Sequence, residues 1–91
     1  MTEINYIDLF AGIGGFRRAC DILTLNGIAE FNCVGYSEID PNAVKNYEVN
    51  YDTTGEMKMG DIVKLTSTVE SIESIPSVDL VLGVFLVNLS V

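Results

Sequence analysis

The stretch "DLFAGIGGF", residues 8–16, sets Gly12, Gly14 and Gly15 in a turn between an apolar run and a predicted helix, with Ala11 and Ile13 filling the turn. Glycines let the main chain bend sharply and let a ligand approach it closely, while a helix N-terminus offers unpaired N–H groups and positive dipole density. Glu38 follows roughly twenty residues later, at the end of the second predicted strand, where an acid accepts hydrogen bonds from ribose hydroxyls in dinucleotide-type sites. Asp61 comes after a short third strand and reaches the same rim. These residues together describe a site for a nucleoside-containing cofactor, whose identity the chemistry alone leaves open. A purely architectural reading stands beside it: the glycines as a simple turn, Glu38 as a solvated loop acid, and the Gly60–Asp61 pair as a second turn.

The elements that must position these residues alternate. "INYIDLF" (4–10) is short and mostly apolar and reads as a buried strand. In the next segment Phe16, Ala19, Cys20 and Leu23 fall at i, i+3, i+4 and i+7 and predict the buried face of a helix, which "NG" (26–27) ends. Arg17 and Arg18 are expected on its exposed side. "FNCVGYSEI" (31–39) is the second strand. "DPNAVKNYEVNY" (40–51) opens as a helix does, with Asp40 as N-cap and Pro41 at the first helical position, and its buried stripe is Val44, Tyr47 and Tyr51. Residues 52–62 form a loop holding the short third strand just before Gly60, 66–74 a weak helix, and "VDLVLGVF" (78–85) the fourth strand. Strands alternating with helices over so short a span predict parallel βαβ units in a doubly wound α/β sheet.

Composition narrows the function classes. A hydrophobic content of 48%, with four Phe and four Tyr, excludes a disordered chain. Thirteen acids against five bases give a net charge of −8, which disfavours phosphate contacts by this segment itself and an anionic membrane surface. Cys20 and Cys33 are the only cysteines, and no basic, apolar leader opens the chain, so free thiols in a reducing cytoplasm are expected. Neither thiol has a His in reach, since the sequence contains none, and both are read as small buried side chains.

"DLFAGIGGFR", "SEID" and "GDI", in this order and at these spacings, resemble the first three motifs of the DNA (cytosine-5) methyltransferases, across nearly the whole chain. The resemblance implies a partial doubly wound, Rossmann-like parallel sheet of the S-adenosylmethionine-dependent methyltransferase type, missing its later strands, with residues 1–91 the N-terminal part of the catalytic domain. It further implies S-adenosylmethionine as cofactor. Phe10 would pack near the adenine and Ile39 cover its other face, Glu38 would hold the ribose, and Asp61 with the Ile62 N–H would read the adenine edge. The backbone around Gly12, Ile13 and Gly14 would face the methionine part, with Ala11 and Gly15 completing the turn. DNA is the family's partner, within restriction-modification, although the acidity of this chain argues against its holding DNA alone.

The family's fourth motif runs roughly D-L-L-x-G-G-F-P-C-Q-S-F-S, and its Cys attacks C6 of a flipped cytosine. Here the match holds through Gly83 and then stops, and Val87 stands at the Cys position. The middle codon bases of G-F-P-C-Q-S-F-S, with an AGY codon for the last Ser, are G, T, C, G, A, C, T, G. These are the first bases that "VFLVNLSV" (84–91) requires, in order. The tail is therefore read as the catalytic loop translated out of frame after loss of a base near Gly83, with a stop codon soon after. The apolar run 79–91, interrupted by Asn88, is shorter than the ~20 residues of a membrane-spanning helix. On this reading the chain alone does not catalyse, its cofactor binding is weakened or lost, and the apolar edge of the fourth strand invites self-association or a partner chain.

Overall fold

The computed structural model describes residues 2–12 and 14–83. Eight elements follow one another: β1 (Glu3–Leu9), α1 (Gly15–Leu25), β2 (Glu30–Tyr36), α2 (Pro41–Asn50), β3 (Met57–Lys58), α3 (Ile62–Leu65), α4 (Val69–Glu73) and β4 (Leu80–Gly83). The four strands form one parallel sheet in the order β3-β2-β1-β4. The fold is thus α/β with a partial Rossmann-like sheet, as the alternation of elements predicts. The helical turn α3 was not foreseen in the sequence. Ile13 and the tail 84–91, including the last two residues assigned to the fourth strand, lie outside the described residues.

β1 is central, and its consecutive residues Tyr6, Ile7 and Asp8 are all buried, as in a parallel strand covered on both faces. The β1–β2 register steps from Tyr6↔Cys33 to Ile7↔Gly35 and leaves Val34 as the extra residue of a bulge. Gly35 fits closely there: a Cβ would sit 3.0 Å from Met59 Sδ and 3.3 Å from the Met57 carbonyl, and these neighbours would have to give way by a few tenths of an ångström. Asp79 seats β4 on the other side: its N–H donates to the Asn5 carbonyl at 2.8 Å, and its carboxylate accepts from the Asn5 N–H at 3.0 Å.

Local signals set the helix ends. At the close of α1, Gly27 takes φ +73, its N–H reaches the Thr24 carbonyl, and the Ile28 N–H reaches that of Leu23. This is the paired closure that a left-handed glycine permits. Asp40 caps α2 by accepting from the Asn42 N–H at 2.9 Å, with Pro41 at the first helical position. Tyr47 is completely buried, Val44 and Tyr51 are half-buried, and Tyr47 stacks on Tyr36 with centroids 5.0 Å apart.

The buried face of α1 differs from the one its apolar spacing predicts. Phe16, Ala19 and Leu23 are exposed, and the residues facing inward are Cys20 and Arg17. Arg17, expected on the outer side, is only 8% exposed. The helix is rotated because Arg17 finds a complete set of acceptors beneath it, whereas hydropathy scores a guanidinium as a solvent group whatever its partners.

Candidate functional site

The chain leaves β1 through a run of left-handed residues: Phe10 at φ +55, Gly12 at +54 and Gly14 at +83. Phe10 is the one non-glycine with positive φ among the described residues, a conformation that costs energy and persists where surroundings enforce it. Ser37, at the end of β2, supplies that enforcement. Its hydroxyl accepts from the Phe10 N–H at 3.2 Å, its carbonyl accepts from the Ala11 N–H at 2.8 Å, and its own N–H donates to the Asp8 carbonyl at 2.9 Å.

Glu38 holds the next bond of the turn. One carboxylate oxygen accepts from the Gly12 N–H at 2.9 Å, and the other accepts from the N–H groups of Ile39 and Asp40 at 2.9 and 3.0 Å. It is therefore no freely solvated loop acid. A cavity of about 240 Å³ opens beside it, lined by Phe10, Ser37, Glu38, Ile39, Gly60, Asp61, Ile62 and Val63. Five of the residues singled out in the sequence (Phe10, Glu38, Ile39, Asp61, Ile62) thus come together at the carboxyl ends of β1, β2 and β3. Phe10 and Ile39 are 45% and 72% exposed, so neither is a core residue. Asp61 also caps α3, accepting from the Val63 N–H at 2.9 Å.

Gly14 and Gly15 lie apart from this cavity, lining a separate recess of about 370 Å³ with Arg18, Asn50 and Tyr51. A Cβ on Gly14 would sit 2.4 Å from the Tyr51 ring, whose hydroxyl donates to the Gly14 carbonyl at 2.9 Å. At Gly15 a Cβ would meet nothing within 4 Å. Ala11 is buried against Tyr36 and Tyr47 and supports the turn from below. The larger hollow of about 500 Å³, lined by Pro41, Val44, Lys45, Glu48, Val49 and Lys58, is built on α2 and β3 and shares no residue with the glycine turn.

A buried polar cluster under the turn escaped the sequence reading. The Arg17 guanidinium bonds both oxygens of Glu56 at 2.6 Å, the Asp52 carbonyl at 3.0 Å and the Tyr47 hydroxyl at 3.0 Å. Tyr47 in turn donates to Asp8 at 3.0 Å. Burial pushes the Asp8 carboxyl up to about 6, against the lowering effects of the Tyr47 hydroxyl and Arg17. Burial alone would lower the Arg17 pKa, and its bonds to Glu56 and Tyr47 more than offset this and keep it charged. An acid inside the apolar run "INYIDLF" was the available signal, since a buried carboxylate requires a donor. Burial also raises both thiols, that of Cys33 to about 12, so neither is a ready nucleophile.

The family model for C-5 cytosine-specific DNA methylase matches residues 4–85, nearly the whole chain. The chain belongs to the C-5 cytosine-specific DNA methylase family. Among the curated relatives of this chain, Type II methyltransferase M.HgiCII of Herpetosiphon aurantiacus is 42% identical over 84 residues, covering 91% of this chain and 16% of the relative. Type II methyltransferase M.DsaV of Dactylococcopsis salina is 45% identical over 83 residues, covering 91% of this chain and 20% of the relative. Type II methyltransferase M.MspI of Moraxella sp is 40% identical over 67 residues, covering 74% and 14% respectively. The chain thus spans a fifth or less of the length of these relatives. Methylases of this family use S-adenosylmethionine and act on DNA, and no described helix is long and apolar enough to cross a membrane.

Proposed function

We propose that this chain is the S-adenosylmethionine-binding segment of a DNA cytosine-5 methyltransferase. The observation that carries the reading is the single cavity shared by Phe10, Glu38, Ile39, Asp61 and Ile62. In it Phe10 and Ile39 would pack against the adenine, Glu38 would accept from the ribose, and Asp61 with the Ile62 N–H would read the adenine edge. The methionine part would lie along the backbone at Gly12, beside Glu38. The bound cofactor supplies an electrophilic methyl group. Glu38 is suited to its part because three backbone N–H groups already hold its carboxylate in place.

These 91 residues contain no Pro-Cys-Gln, and both of their thiols are held protonated by burial. Methyl transfer therefore requires a thiolate from elsewhere, and the chain by itself does not perform it. Its place is a cytoplasmic restriction-modification setting, in keeping with the type II names of its relatives. With a net charge of −8, contact with DNA falls to other parts of a complete enzyme. Isothermal titration with S-adenosylmethionine tests the reading, and no heat at millimolar ligand would overturn it.

A second reading concerns association. β4 pairs only with β1 among the described residues, and Val81 on it is 54% exposed. An open apolar strand edge accepts another strand, so the chain completes its sheet with a second copy or a partner chain. Light scattering across a concentration series tests this, and a monomer throughout would count against self-association.

A further inference from the structure

Arg17 sits in the first turn of α1, the end of a helix where a cation is disfavoured, and is buried there. Its planar fork serves four acceptors at once: both Glu56 oxygens, the Tyr47 hydroxyl and the Asp52 carbonyl. Its carbon Cζ lies 5.4 and 5.0 Å from the ring centroids of Tyr47 and Tyr51. Tyr51 and Tyr47 lead to the glycine turn and the strand end before it, and Glu56 leads toward the cavity wall at Gly60 and Asp61. Tyr51 donates to the Gly14 carbonyl, Tyr47 donates to Asp8 just before the turn, and Glu56 immediately precedes β3, which runs into Gly60 and Asp61.

We propose that Arg17 is a positioning residue: paired with Glu56, it sets the geometry of the glycine turn and ties that turn to the opposite wall formed by residues 60–63. The inference rests on the cofactor reading for its functional consequence, though not for its geometry. Lysine cannot replace it, because a single ammonium cannot address four separated acceptors as a guanidinium does. Glu56 neutralises the guanidinium, so no unpaired charge is buried beneath the turn.

The test uses the 91-residue chain, with the amide signals of its glycines read by two-dimensional NMR without ligand, followed by titration with S-adenosylmethionine. Arg17→Met alone leaves Glu56 buried and unpaired and is expected to unfold the chain. The double variant Arg17→Met, Glu56→Met removes both charges at similar volume, a replacement that buried ion pairs often tolerate. In the double variant and in Arg17→Lys, the signals of Gly12, Gly14 and Gly60 are expected to move, that of Gly27 to stay, and affinity to fall about tenfold, or 1.4 kcal/mol. Unmoved Gly12, Gly14 and Gly60 signals in a folded variant would overturn the proposal. Loss of the fold in both variants would assign the pair to stability alone and overturn it equally. A wild-type chain that ignores the ligand defeats the cofactor reading, while the glycine signals still decide the role of Arg17.

Discussion

Gly12 and Glu38, 26 residues apart in the chain, meet in a 2.9 Å hydrogen bond from the glycine N–H to the carboxylate. The acid proposed to receive a ribose is therefore also the latch of the turn. Glu38→Gln replaces one accepting oxygen with an NH2 group facing an N–H donor. Stability is expected to fall by about 1–3 kcal/mol, read by urea unfolding. Affinity for S-adenosylmethionine should fall at least tenfold; an unchanged affinity would remove Glu38 from the site.

Gly14 and Gly15 separate turn geometry from turn composition. Gly14→Ala drives a Cβ to 2.4 Å from the Tyr51 ring at φ +83. It should destabilise the fold by about 2–3 kcal/mol, combining overpacking with left-handed strain. Gly15→Ala meets open space in a helical position. It should be neutral or stabilise by up to about 1 kcal/mol. Thermal or urea unfolding of the two variants checks the contrast.

Asp8 links stability to pH. Burial raises its carboxyl to about 6 from an ordinary value near 4, so the folded chain takes up its proton more readily than the unfolded one. The contribution of protonated Asp8 is fully present below pH ~4 and is lost as pH rises through about 6. Asp8→Asn abolishes this loss. The stability of the variant relative to wild type should rise across that window, and a flat difference from pH 4 to 7 would contradict the burial of the charge.

The DNA encoding residues 79–91 should read Gly-Phe-Pro-Cys-Gln in the adjacent frame, beginning near codon 83. Sequencing checks it directly, and an adjacent frame with no Pro-Cys-Gln would end the displaced-loop reading. In parallel, a tritiated-methyl assay on cytosine-containing duplex DNA should show no turnover by these 91 residues alone.

Much of the site was legible because its signals are local. A positive φ selects glycine at residues 12 and 14, and an Asp before Pro41 caps α2 through a bond only two residues long. The short apolar run that placed β1 and the stripe Val44, Tyr47 and Tyr51 that placed the buried face of α2 are legible for the same reason. α1 was misread on its inner face because Arg17 and Glu56 stand 39 residues apart, and no window along the chain contains both.

By itself, the sequence determined the alternation of strands and helices apart from α3, the turn and the acids at the strand ends, since each rests on steric and hydrogen-bonding preferences acting within a few residues. Only the tertiary structure decided that Phe10, Glu38, Ile39, Asp61 and Ile62 share one cavity while Gly14 and Gly15 face another recess. It alone decided that Arg17 is buried. Those outcomes depend on the parallel stacking of β3, β2 and β1, which brings distant carboxylates, hydroxyls and a guanidinium within reach, and a charge is buried only where such partners converge.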